Sequence, residues 1–352
     1  MPVAGIIDVA GPVLSVQERR LFAARDPWGF ILFGRSCETP GQIRALCEDL
    51  RDAVGRHCLI FIDQEGGRVQ RLAPPVWPRL PALSFYGQLW TQDRERAIEA
   101  IRCHHQIMGQ MLGDVGVNAN CAPCLDLRLP SASQAIGDRA LSEDGECAGR
   151  LGQAAVAGLR EAGVAAVVKH MPGQGRAVLD SHEALPHIQA SRAELAIDLA
   201  PFRANLAAPM GMIGHVVLDA LDADAPASQS AKVVQNWIRQ ELGYQGLLMT
   251  DDLTMKALDA PDAVKAERVF AAGIDIAMRC HGTLEERDAF LAQCPPLDGD
   301  SLARAQAAEA FAAPPSTPLE PTELWARFTA LTGWERGISM SVSPDPTRKA
   351  WA

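Results

Sequence analysis

Val164-Ala-Ala-Val-Val-Lys-His-Met-Pro-Gly-Gln-Gly175 starts as an unbroken apolar run and ends in polar residues and glycines. A short run of this kind suits a parallel strand covered on both faces. The segment before it, Glu143 to Gly163, sets Leu151, Ala155, Leu159 and Ala162 on one side, which is helical spacing. The same unit recurs in both directions along the chain. Further apolar runs lie at Ala4–Ile7, Gly29–Phe33, Cys58–Ile62, Val117–Ala122, Met210–Ile213, Gly246–Met249 and Ile274–Ala277, which makes eight. Helical patterns fill the gaps at Pro40–Val54, Asp93–Leu112, Ser191–Leu206, Ser230–Leu242 and Ala260–Ala272. Ser191 stands three residues before Glu194 as a capping pair, and Gly163, Gly243 and Gly273 follow helices as terminators.

Eight strand–helix units imply an α/β fold, a (β/α)8 TIM-like barrel in a single domain with a short C-terminal extension. The barrel is expected over residues 1–312. Pro314, Pro315, Pro318 and Pro321 mark a break, and residues 313–352 are expected to pack on the barrel or to be partly disordered, with Leu324–Leu331 as a short helix there or at an oligomer contact.

The chain has 352 residues, a formal charge of −10 and 48% hydrophobic residues, values that exclude a disordered chain. The acidic balance and the lack of a Lys/Arg-rich run argue against a nucleic-acid or membrane partner. The apolar runs fall far short of the ~18 residues of a bilayer span. The N-terminus has no basic segment of the secretory kind. Nine scattered cysteines, an odd number, suit a reducing compartment, so a cytoplasmic location is expected. Cys121 and Cys124 form a CxxC without a second pair, and are expected to be small buried hydrophobes rather than zinc ligands.

Barrel sites lie at the C-terminal ends of the strands. The polar residues concentrate there. Asp63-Gln-Glu-Gly-Gly-Arg-Val-Gln-Arg71 follows the third run; Asp126 and Ile136-Gly-Asp-Arg139 follow the fourth. Lys169-His-Met-Pro-Gly-Gln-Gly175 and Asp180-Ser-His182 follow the fifth, Gly214-His215 the sixth and Thr250-Asp-Asp-Leu-Thr-Met255 the seventh. A single strand-end Asp is as well explained by capping. Five such clusters at one rim are not.

In this order the motifs resemble those of glycoside hydrolase family 3, in particular its bacterial single-domain β-N-acetylhexosaminidases of peptidoglycan recycling. The resemblance implies a retaining exo-β-N-acetylglucosaminidase that removes terminal β-linked N-acetylglucosamine from muropeptides through a covalent glycosyl–aspartate. It implies Asp251 as nucleophile and His182 as acid/base with Asp180 as its partner. It also implies Asp63, Arg71, Arg139, Lys169 and His170 as the sugar pocket. Neither a metal nor an organic cofactor is implied; the partner is a small carbohydrate. His215 is a further candidate, for which a core histidine is an equal reading.

Elementary chemistry agrees with these residue types. Displacement at an anomeric carbon passes through an oxocarbenium-like state that a carboxylate can trap. A histidine near its ordinary pKa can give and later take a proton. In an extended segment Asp180 and His182 would share one side, and Gly173 and Gly175 predict a mobile loop. Asp63 can accept from sugar hydroxyls, while Arg71, Arg139 and Lys169 donate to them and offset the charges of Asp63 and Asp251.

Asp252 rivals Asp251 for the nucleophile's place, and strand alternation alone does not choose between neighbours. Gln174 and Met171 depart from the His and Phe usual in family members. Trp90, Trp237 and Trp325 are expected in packing rather than as sugar platforms. Other readings are a family 3 β-glucosidase or glycoside phosphorylase, an aldolase-type barrel using Lys169 as a Schiff-base amine, and a non-catalytic sugar-binding barrel.

Overall fold

A computed structural model of the chain describes residues 1–129, 133–313 and 320–336. Among the described residues, eight parallel strands close into a barrel. They are β1 (Val3–Asp8), β2 (Pro27–Leu32), β3 (Leu59–Ile62), β4 (Ala119–Asn120), β5 (Ala165–Met171), β6 (Met210–Ile213), β7 (Leu247–Asp252) and β8 (Ile276–Arg279). Each coincides with one of the eight apolar runs. β1 pairs with β2 on one side and β8 on the other, which closes the ring.

Alternation along each strand separates two layers. Leu59 and Phe61, Ala165 and Val167, and Leu247 and Met249 point into the barrel. The intervening residues pack outward against the helices. Val167 and Leu247 both register on Met210, so the interior is built in rungs. The N-terminal mouth is plugged: the helix Gly299–Phe311 brings Ala305 and Ala308 against Trp28, whose indole donates to Glu309 at 2.7 Å. The C-terminal mouth is left for chemistry.

The helices follow the expected pattern with informative exceptions. Pro40–Val54 forms as read, capped by Thr39 and ended by Gly55. Ser191 and Glu194 form a reciprocal capping box, and Gly243 and Gly273 end their helices in left-handed conformation. The expected helix Ser191–Leu206 is two, Arg192–Asp198 and Ala200–Ala204. Pro201 lacks the N–H that an uninterrupted ladder would require. The periodicity did not signal Val16–Arg25, Ser84–Trp90, Leu284–Leu291 or Gly299–Phe311.

Pro321 opens the helix Pro321–Thr332, which lies on the helix Arg94–Gly113. Leu324 and Phe328 are buried there, and Arg96 donates to the Leu331 carbonyl at 2.6 Å. The break at Pro314, Pro315 and Pro318 and the stretch 337–352 lie outside the described residues. No helix among the described residues is long and apolar enough to cross a membrane.

Candidate active site

A cavity opens at the C-terminal mouth. Asp63, Arg71, Arg139, Lys169, His170, Asp180, His182 and Asp251 all line it. The inward phase of three strands continues straight into the site. After Leu59 and Phe61 comes Asp63, after Ala165 and Val167 comes Lys169, and after Leu247 and Met249 comes Asp251. This phase sets apart the two neighbours between which strand alternation alone did not choose. Asp251 continues the interior set. Asp252, although it also borders the cavity, binds the Thr254 N–H and hydroxyl and the Cys280 N–H, and so braces β7 against β8.

A buried ion cluster forms one wall. Lys169 Nζ lies 2.9 Å from Asp63 and 2.6 Å from Glu65. Arg139 holds both oxygens of Glu65 in a fork at 2.9 Å each, and Arg71 reaches Asp63 at 3.3 Å. Burial alone would raise both carboxyl pKa values. The adjacent cations outweigh it, holding Asp63 at about 2 and Glu65 well below the usual carboxylate range. Burial would likewise depress Lys169, yet Asp63 and Glu65 hold it above its ordinary value. An ammonium so stabilised is the opposite of the desolvated amine that a Schiff base requires.

Glu65 was not among the residues selected from the sequence. It sits in a short ribbon, Gln64–Gly66 against Val69–Gln70, curled over by Gly66 and Gly67, both at positive φ. The DQEGG stretch contained the signal, a Gly-Gly turn that folds the acid back beside Asp63. Asp126 was also unassigned. It accepts from His170 Nδ1 at 2.6 Å, from the His170 N–H at 3.2 Å and from the Gln174 N–H at 2.8 Å. The ring so held puts Nε2 4.0 Å from Asp251.

The charge compensation of Asp251 differs from expectation. Burial pushes its pKa up, and the imidazoles of His170, His215 and His182, not Arg or Lys, bring it below the ordinary value. His215 is fully buried behind the site and outside the cavity lining. Its Nε2–H donates to the Asp252 carbonyl at 3.0 Å, and its Nδ1 pairs with the Ser228 hydroxyl at 2.7 Å. It thus fixes the backbone that carries Asp251. Burial sends its own pKa down, and burial lifts Asp252 to about 6.

Asp180 and His182 meet by a turn rather than in an extended segment. Asp180 Oδ1 accepts from both the His182 N–H at 3.0 Å and Nδ1 at 2.7 Å, while the Asp180 carbonyl takes the Glu183 and Ala184 N–H groups. Burial raises the Asp180 pKa, but the His182 bonds and charge bring it below normal. The Ser181 carbonyl accepts from the Ala257 N–H at 3.2 Å, which ties this segment to the loop after β7.

The ligand atoms of Cys124, Asp126 and His170 lie within 4.8 Å of one another, a spacing suited to a cation. They are already engaged with each other: the Cys124 thiol donates to Asp126 at 3.4 Å, on the oxygen that holds His170. Cys121 faces the barrel interior and Cys124 the outer layer, so the CxxC is not one site. Trp237 is buried, Trp90 and Trp325 pack on the outer layer, and none of the three lines the cavity.

Comparison with known proteins places this geometry. The family model described as glycosyl hydrolase family 3 N terminal domain matches residues 15–297. A beta-hexosaminidase of Thiobacillus denitrificans is 36% identical over 319 residues, 89% of this chain and 87% of that protein. One from Alkalilimnicola ehrlichii is 33% identical over 347 residues, 97% of this chain and 96% of the other. The crystal structure of NagZ from Neisseria gonorrhoeae in complex with N-trifluoroacetyl-D-glucosamine superimposes with a TM-score of 0.83 at 28% identity, covering 94% of this chain and 98% of that one. With the barrel, the motif order and these matches in agreement, the chain belongs to glycosyl hydrolase family 3.

Proposed function

We infer that the chain is a retaining exo-β-N-acetylglucosaminidase acting on muropeptides, N-acetylglucosamine linked β-1,4 to N-acetylmuramic acid or its anhydro form. The observation that carries the reading is the joint presence of the Asp251 carboxylate and the His182 imidazole on the lining of one cavity. In the first step an Asp251 oxygen bonds to the anomeric carbon as the bond to the leaving oxygen breaks. Protonated His182 delivers a proton to that oxygen. In the second step water attacks the same carbon, His182 takes the water's proton, and the carboxylate of Asp251 is released. Asp180 orients the ring through its bond to Nδ1. Asp63, Arg71, Arg139, Lys169 and His170 hold the sugar hydroxyls. The depressed pKa of Asp251 keeps it ionised as the nucleophile must be.

The cytoplasm is the proposed compartment, supported by nine cysteines that are all free thiols. The muropeptide aglycone rests on the family resemblance.

The test is hydrolysis of p-nitrophenyl N-acetyl-β-glucosaminide by the wild type and by Asp251→Asn, with and without phosphate. The expected product is free sugar in both buffers and a loss of about 10³-fold or more in the variant. A fluorinated slow substrate should leave a sugar adduct on Asp251, located by mass spectrometry of the digest. A sugar phosphate as product, or an adduct on Asp252, would overturn the assignment.

A further inference from the structure

The polar groups on the cavity wall are of two kinds. Asp63, Glu65, Arg139, Lys169 and His170 are each tied to a partner of complementary charge or hydrogen-bonding type. Gln174 is different. Its backbone N–H donates to Asp126, and its side chain borders the cavity, with the residue only 7% exposed. The carboxamide makes no hydrogen bond to any other described residue.

The amide is nonetheless held in place. A methyl group on Gly214, at the end of β6, would come within 2.7 Å of Gln174 Oε1, 3.3 Å of its Cδ and 3.2 Å of His170 Cβ. The bare backbone of Gly214 thus makes a slot in which the carboxamide lies beside His170. Oε1 is turned toward β6, which leaves Nε2 as the end available to the cavity. His170 reaches to 4.0 Å from Asp251. Gln174 therefore lies between β5 and β7, on the side of the reacting carbon. The ion cluster of Asp63, Glu65, Arg139 and Lys169 occupies the other side, between β3 and β5.

An amide that borders the cavity and makes no hydrogen bond within the protein keeps its N–H groups available to a matching acceptor on a ligand. The position next to the anomeric carbon is C2. A hydroxyl there projects one atom from the ring, whereas the carbonyl oxygen of an acetamido group stands three bonds out and accepts only. We propose that Gln174 Nε2 donates a hydrogen bond to the acetamido carbonyl of the substrate and thereby selects 2-acetamido over 2-hydroxy sugars. This rests on the glycosidase reading above and names the residue behind its preference.

The test compares the wild type with Gln174→Leu, which keeps the bulk, and Gln174→Glu, which keeps the shape but loses the N–H donors. Each is assayed on p-nitrophenyl N-acetyl-β-glucosaminide and on p-nitrophenyl β-glucoside. Binding of N-acetylglucosamine and of glucose is measured by calorimetry, and urea midpoints report the fold. Both variants should lose about 10- to 100-fold in kcat/KM on the acetamido substrate and a similar factor in N-acetylglucosamine affinity. The values for the glucoside and for glucose should stay within about two-fold. Equal losses on both sugars, or none on either, would overturn the inference. A wild type that cleaves neither substrate would overturn the glycosidase reading instead, and the two binding measurements would still decide the role of the amide.

Discussion

Replacing Glu65 separates what the ion cluster does for folding from what it does for the sugar. The residue is 1% exposed and accepts three charge-assisted bonds, two from Arg139 and one from Lys169. With Asp63 and Arg71 the group comprises two acids and three bases, so loss of Glu65 raises its buried net charge from +1 to +2. Removing one partner of a buried pair costs about 3–5 kcal/mol, because the other charge is left without compensation. Lys169 keeps Asp63 at 2.9 Å; Arg139 loses its only fork. Glu65→Ala should therefore fall near the middle of that range. Glu65→Gln should cost little less, since its NH2 faces an arginine or a lysine donor to donor. In activity the freed guanidinium should lower kcat/KM by about 10²-fold, the usual penalty for a misplaced binding group. Urea denaturation followed by tryptophan fluorescence gives the first quantity, and hydrolysis of p-nitrophenyl N-acetyl-β-glucosaminide gives the second. A Glu65→Ala protein within about 1 kcal/mol of wild type and within two-fold in kcat/KM would refute the reasoning, because a buried double ion pair cannot be lost so cheaply.

Three other outcomes are expected. His104 and His105 are fully buried, and burial puts His105 at about 4 and His104 well below its ordinary value. Since the unfolded chain takes up these protons near pH 6.5 and the folded chain does not until lower pH, stability declines as pH falls through that window. His105 alone accounts for about 2 kcal/mol between pH 7.5 and pH 5, and urea midpoints should show a slope that His105→Leu reduces. His182→Ala and Asp180→Asn should lower kcat by about 10²- to 10⁴-fold. The deficit should grow as the leaving group becomes more basic, and a deficit independent of the leaving group would contradict proton donation. A Cβ on Gly175 would stand 2.0 Å from the Leu127 carbonyl oxygen. Gly175→Ala should therefore displace the segment leading to Asp180 and abolish most activity, whereas crystals showing that segment unmoved would contradict this.

The barrel was readable because each strand is covered on both faces and so appears as an uninterrupted apolar run. Ser191–Leu206 misled only where Pro201 intervened. Val16–Arg25 escaped because its apolar face is narrow, with Phe22 its sole buried hydrophobic residue. The rim residues were readable as types, since polar side chains after apolar runs have one place to go. Their pairing was not. Sequence places Glu65 two residues from Asp63 but says nothing of Arg139, which arrives from another loop 74 positions away. Asp126 received no role because its partner His170 is 44 positions distant. The motif register favoured Asp251 over Asp252, and the inward-facing Leu247 and Met249 put Asp251, not Asp252, in their own phase.

The turn at Asp180 has a further consequence. One carboxylate oxygen grips both the ring and the main chain of a residue two places on, so the mutual alignment of the acid and its imidazole is written into three consecutive residues. A change in the neighbouring loop that spared these two bonds would leave the pair aligned with each other.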